Sequence, residues 1–172
     1  MSVMRPVQII GVYGGTIDGA VVLLGESETP DRVLPIVIGA PEAMAIAAAL
    51  SGVEPVRPGT HDLMATLLER SDMHLDEVAI TELRGGIFFA ELVLETPAGP
   101  HRESARPSDS IALAVRVGSP ILAAADLLEE AAVVVRSGDA ESLTDDEIDE
   151  IVSDFRTYLA TASPDDFETD DG

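Results

Sequence analysis

EVAITELRGGIFFAELVLETPAGPHRESARPSDSIALAVRV, residues 77–117, carries the pattern that decides the fold. Glu77 to Leu83 and Ile87 to Glu95 are apolar-rich runs joined by Arg84-Gly85-Gly86, the pattern of two strands around a turn. Phe88, Ala90, Leu92 and Leu94 alternate along the second run, which sets one of its faces for burial. Thr96-Pro97-Ala98-Gly99-Pro100 is a turn, and His101 to Ala105 returns as a shorter strand. Arg106-Pro107-Ser108-Asp109 introduces a helix over Ser110 to Val117, stopped at Gly118. A three-stranded meander that feeds a helix predicts an α+β architecture.

Outward from this stretch the same grammar continues. Val7 to Val12 and Ala20 to Leu24 read as a strand hairpin, with the turn at Tyr13-Gly14-Gly15-Thr16. A polar loop, Gly25 to Arg32, precedes a third strand at Val33 to Ile38, where Pro35 implies an edge or a strand start. Gly39-Ala40-Pro41-Glu42 opens a helix whose continuation, Ala43 to Leu50, is small and apolar, so burial is expected. Thr60 is the expected N-cap of a second helix reaching about Ser71, with Leu63, Met64, Leu67 and Leu68 on one face. A last strand is expected at Pro120 to Leu122 and a short helix at Asp126 to Ala132. The fold class is therefore α+β: a mixed, mainly antiparallel sheet with helices packed on it, plus a C-terminal amphipathic helix.

That last helix lies in a tail. Residues 1–136 are expected to form the domain and 137–172 an acidic extension with one helix at about 144–160. Thr144-Asp145-Asp146-Glu147 is a capping box, Leu143 and Ile148 are spaced as a hydrophobic staple, and Ile148, Ile151, Val152, Phe155 and Leu159 form one stripe. Such a stripe needs a surface to dock on.

Charge narrows the function classes. The 172 residues hold 32 acids against ten basic residues, all Arg, for a net charge of −22. A surface of this kind repels itself unless salt screens it. Adaptation to a high-salt cytoplasm is the expectation, and it requires stability to climb towards molar KCl. Cysteine is absent, which excludes disulfides and thiolate metal sites. Neither a signal peptide nor a run of the ~20 apolar residues needed to span a bilayer is present, so a cytoplasmic location without membrane contact is expected. Gly14-Gly15 is no phosphate loop, because the required Lys is missing from the whole chain. His74 and His101 read as surface residues, and Met44, Met64 and Met73 as core filler.

Three helices start with an acid in the first turn: Glu42, Asp62 and Asp109. Two of these starts follow Arg-Pro, in Arg57-Pro58-Gly59-Thr60-His61-Asp62 and Arg106-Pro107-Ser108-Asp109. Acids at the positive end of a helix dipole need no further purpose. Taken together, however, the two corners hold the parts of a phosphodiesterase. Helix N-termini and Arg hold phosphate, so Arg57 and Arg106 are the clamps, with Thr60 and Ser108 beside them as substrate-binding residues. Asp62, Asp109 and Glu42 are the candidate ligands for a divalent metal, Mg²⁺ or Mn²⁺. His61 is a candidate general base, and Asp62, Asp109 and His61 make up the candidate catalytic set.

At these residues the chain resembles the bifunctional nuclease domain family. The matching segments are Leu34-Pro35-Ile36-Val37-Ile38-Gly39 leading to Glu42-Ala43, Arg57-Pro58 with Thr60-His61-Asp62-Leu63, and Ala105 to Ala114 with Arg116, across roughly residues 7–132. Ser110 stands where the family pattern often has Ala. The resemblance implies an α+β fold, a homo-oligomer (a dimer is favoured), and nuclease activity on DNA and RNA as reported for some members. It also implies a short helical appendage of the kind that some members carry after the domain.

A net charge of −22 opposes that activity, since phosphate contacts and counterion release normally drive nucleic-acid affinity. Two other readings stand beside a metal-assisted nuclease. One is a regulatory module that binds a phosphorylated ligand or a protein partner without chemistry. The other is structural, with Arg106 and Asp62 as an internal ion pair fixing two helix starts and Arg116 paired with an acid elsewhere.

Overall fold

The structure is a computed structural model and describes residues 2–16, 19–135 and 143–161. Among these residues eight strands form one sheet: β1 Met4–Thr16, β2 Gly19–Glu26, β3 Thr29–Ile38, β4 His74–Arg84, β5 Ile87–Thr96, β6 Gly99–Ala105, β7 Ile121–Ala124 and β8 Val133–Val134. Five helices accompany them: α1 Ala40–Leu50, α2 Thr60–Arg70, α3 Pro107–Val117, α4 Ala125–Ala131 and α5 Asp145–Thr161. The strand order is β6-β5-β4-β7-β1-β2-β3-β8. Two antiparallel meanders, β1-β2-β3 and β4-β5-β6, are joined by β7, which runs antiparallel to β1 and parallel to β4. The α+β expectation is met.

Alternation explains the sheet. Phe88, Ala90, Leu92 and Leu94 on β5 are buried, as their period requires. Pro35 pairs with Leu23 of β2, while β8 covers only Arg32 and Val33, so Pro35 sits where β3 has no second neighbour among the described residues. Ile36 to Gly39 of the β3 end and Gly86 to Phe88 of the β4–β5 turn line one small cavity, although four strands separate β3 from β5 in the order.

Two expectations fail here for physical reasons. Tyr13-Gly14-Gly15-Thr16 is not a turn but the end of β1: Gly14, at φ +79°, pairs with Ala20, and a bulge lies between Gly14 and Thr16. Helix α1 is largely unburied: only Ala43 and Ile46 are buried, with Ala45 partly so against the core, and Met44 is 73 % exposed rather than core filler. The apolar surplus of α1 lies on its outer side. Elsewhere the expectations need smaller changes. Helix α3 begins at Pro107, three residues early, and β7 runs to Ala124. His74 and His101 are exposed, as expected.

Helix α5 docks on the sheet. Its capping box is formed: Thr144 N donates to Glu147 Oε2 at 2.9 Å, and Glu147 N donates to Thr144 Oγ1 at 3.4 Å. Leu143, Ile148 and Ile151 join Val21, Leu23 and Val33 in a cluster on one face of the sheet. Phe155 reaches the main core, with its ring centroid 6.0 Å from that of Phe88. The Leu159 side chain of the expected stripe lies outside the described residues. Trimming one methyl group by Ile151→Val is expected to cost about 1 kcal/mol in urea unfolding at constant KCl. An unchanged midpoint would mean that α5 is not docked as described.

Glu26, read from sequence as part of a polar loop, ends β2 with its side chain fully buried. Arg5 of β1 and Arg32 of β3 flank it, at 2.8 Å and 3.3 Å.

Candidate active site

Helix α3 sets the position of the site. Ile111, Ala112, Leu113 and Ala114 are buried, and the helix packs against α1, α2, β4 and β5. Its N-terminus is thereby fixed beside those of α1 and α2. Pro41 and Glu42 from α1, Thr60, His61 and Asp62 from α2, Arg106 at the N-cap of α3 and Asp109 in its first turn all line one solvent-open cleft of about 780 Å³. Arg57 lines it too. The two Arg-Pro corners, far apart in the chain, therefore meet.

Each acid of the first turns has a defined partner. Asp62 Oδ2 accepts from the Gly59 N–H at 2.7 Å, so Gly59 is the N-cap and Thr60 the first helical residue, and the helix starts one position earlier than the sequence reading placed it. Asp62 Oδ1 accepts from Arg116 Nε at 2.5 Å. Arg116 Nη1 donates to the carbonyls of Ala45 at 3.1 Å and Ala112 at 2.8 Å, tying α1, α2 and α3 together. On the other side of the cleft, Asp109 Oδ2 accepts from Arg106 Nε at 2.7 Å, and Asp109 Oδ1 lies 3.0 Å from His61 Nε2. Arg106 Nη2 also reaches Glu42 Oε1 at 2.9 Å.

The anticipated Arg106–Asp62 pair is therefore not formed: Arg106 takes Asp109 and Glu42, and Asp62 takes Arg116. Ser108 is also absent from the cleft. It is buried on the opposite side of α3, lining the small cavity near β3 and the β4–β5 turn. Arg57 and Thr60 are exposed, and Arg57 has no ion pair or hydrogen bond among the described residues. Among those residues no group of three His, Asp or Glu side chains is placed to share a cation. Both oxygens of Asp62 and both of Asp109 are already engaged by donors. The donor set as it stands thus does not fit a divalent metal.

The charges are tuned accordingly. The Arg116 guanidinium, and after it the Gly59 amide, hold Asp62 below the ordinary carboxylate range. Burial pushes Asp109 upward, but Arg106 and His61 outweigh it, and Asp109 also sits low. Asp109 and then Glu42 raise the already basic Arg106. A carboxylate lowered in the folded state stabilises above its unfolded pKa of ~3.9, and that contribution is lost as pH falls through the folded value. The melting-temperature deficits of Asp62→Asn and Asp109→Asn at pH 7 are therefore expected to shrink as pH is taken below about 4. Deficits that stay constant down to acid would contradict ionised partners at both sites.

Among the described residues three arginines lie on this one cleft, in a protein with ten in all and a net charge of −22. The site is thus an arginine–carboxylate lattice at three helix N-termini around an open cleft of an α+β domain. The chain belongs to the bifunctional nuclease domain family, whose profile matches residues 22–136. The match places it in a nuclease-related class. Among its relatives are two proteins from Mycobacterium tuberculosis, "Uncharacterized protein MT1877" of strain CDC 1551 / Oshkosh and "Uncharacterized protein Rv1829" of strain ATCC 25618 / H37Rv. Each is 39 % identical over 165 residues, covering 96 % of this chain and 99 % of the relative. The alignment thus includes most of the acidic tail as well as the domain. No helix among the described residues is long and apolar enough to cross a membrane.

Proposed function

We propose that this protein is a nuclease that binds and hydrolyses phosphodiester bonds of DNA or RNA in the cleft between α1, α2 and α3. The observation that carries the reading is the meeting of the two Arg-Pro corners in one open site. Arg57 and the free edge of Arg106 face the phosphate. An ionised Asp109 accepts from His61 Nε2–H, which leaves Nδ1 as the nitrogen with a lone pair to take a proton from attacking water. Asp62 and Arg116 hold the three helix starts in register. No step is routed through a metal, because the carboxylates are committed to arginines.

The test is incubation of the pure protein with single- and double-stranded DNA and RNA in molar KCl, with Mg²⁺, with Mn²⁺ and with EDTA. Cleavage above an Asp109→Ala control supports the reading, and no cleavage in any arm removes it. Activity strictly dependent on Mg²⁺ or Mn²⁺ would require Asp62 and Asp109 to release their arginines.

The commitment of those carboxylates also favours a second reading, a module that binds a phosphorylated ligand without turnover. A ligand-induced rise in melting temperature with no product distinguishes it. In either case a homo-oligomer, a dimer by preference, completes the proposal, and sedimentation in molar KCl measures it.

A further inference from the structure

The geometry points to a substrate of dinucleotide size: the cleft takes one phosphodiester step at a time and has no track for a duplex or a long strand. This rests on the nuclease reading and narrows its substrate class.

The argument begins with a count of usable cations. Arg116 is 13 % exposed, with Nε on Asp62 and Nη1 on two carbonyls, so it is spent on structure. Arg106 is 66 % exposed, but Nε and Nη2 are held by Asp109 and Glu42, which leaves Nη1 to meet a ligand. Arg57 is exposed and has no partner among the described residues. Two guanidinium groups can therefore face phosphate, and Glu54 on the same rim repels a further one. The other arginines among the described residues offer no continuation: Arg5 and Arg32 serve Glu26, Arg102 pairs with Glu91 and Arg84 with Glu82, Arg156 donates to the Gly19 carbonyl, and Arg70 sits in the last turn of α2, at the opposite end of that helix from the cleft.

Size and polarity agree with that count. The cleft volume of about 780 Å³ lies within the range of sites for a single small ligand, about 300–1,000 Å³. One wall is Ala45, Ala48 and Ala49 of α1, with Met44 and Val53 at its margin. These side chains carry no charge, and the small alanines leave a flat strip on which a sugar or base can lie. A net charge of −22 makes the surface outside the cleft acidic on balance, so each added phosphate meets repulsion instead of counterion release. The outward-facing apolar side of α1, unexplained by packing, acquires a use as this wall.

Binding measured across KCl concentrations decides the matter, using phosphorothioate-linked ligands that resist cleavage: a dinucleotide, a long single strand and a long duplex. The dinucleotide is expected to bind, and the long strand to gain only from offering more overlapping sites. With two phosphate-facing cations, log K against log[KCl] should fall with a slope no steeper than about −1.4 for single strands. Arg57→Ala should flatten that slope by about 0.7. Failure of the dinucleotide to bind, a clear preference for duplex, or a slope of about −4 or steeper overturns the inference. Duplex-preferring cleavage would sink this size limit and leave the nuclease reading intact. Dinucleotide binding together with no cleavage of unmodified DNA or RNA would do the reverse.

Discussion

Replacing Asp109 with Ala is expected to lower kcat/KM for phosphodiester cleavage by about 10²-fold or more, with the loss in kcat. The size follows from what one carboxylate does. Its Oδ1 orients His61 through Nε2 at 3.0 Å, and its Oδ2 fixes Arg106 through Nε at 2.7 Å. Without it the imidazole loses the partner that selects its tautomer, and Arg106 keeps only Glu42. Proton handling and phosphate placement then fail together. Arg57→Ala makes the contrast: Arg57 has no ion pair or hydrogen bond among the described residues, so its loss should raise KM and leave kcat near that of the parent. If Asp109→Ala does not fold, Asp109→Asn serves in its place. It keeps the volume but sets an amide against Arg106, donor facing donor, or against His61. Circular dichroism establishes that each variant is folded before kinetics are compared. An Asp109 variant with native structure and more than about a tenth of parental kcat would show that the His61–Asp109 pair does not move the proton.

How far the sequence reaches is visible at these same residues. The Arg-Pro corners were legible because Pro before a helix and an acid in its first turn are local signals, and local signals survive in one dimension. Their convergence was legible only as a condition, since it depends on how α3 sits between α1 and α2. Pairing of the charges was not legible. Asp62 is 54 residues from Arg116, and nothing near either residue favours that partner over Arg106. One hint existed: Arg116 lies two turns after Asp109, on the same side of α3, so an arginine near the cleft was foreseeable. Ser108 shows the opposite failure. It is adjacent to Asp109, yet neighbours on a helix point about 100° apart, and it turns into the core. Alternation marked β5 correctly but could not mark Gly14, where a bulge carries β1 through a glycine pair that reads as a turn. The exposure of α1 escaped for a related reason: a run that is apolar on every side has no periodicity from which a buried face can be chosen.

The second large effect is expected far from the cleft, where removing both Arg5 and Arg32 as Arg5→Met/Arg32→Met should lower the melting temperature by on the order of 10 °C at pH 7. The reason is an asymmetry of exposure. Glu26 has no exposed side-chain surface, whereas the Arg5 and Arg32 side chains are 34 % and 27 % exposed. A carboxylate in that position is tolerable because two guanidinium groups meet it. Take both away and a charge is left with neither water nor partner, the costly case for a buried ion. Glu26→Met strands nothing comparable: each arginine already reaches solvent and can turn further into it, so a smaller drop is expected. The triple variant, with Met at all three positions, should regain most of what the double variant loses, because apolar side chains can replace a buried ion group at little net cost. Scanning calorimetry of the parent and these three variants at one KCl concentration makes the comparison. Were Glu26→Met to melt lower than Arg5→Met/Arg32→Met, the carboxylate would have to be supporting the two arginines rather than the reverse. The triad joins β1, β2 and β3 at one end of their meander, so its loss should also loosen the strands that carry α5. Amide exchange in β3 would then rise together with that of α5.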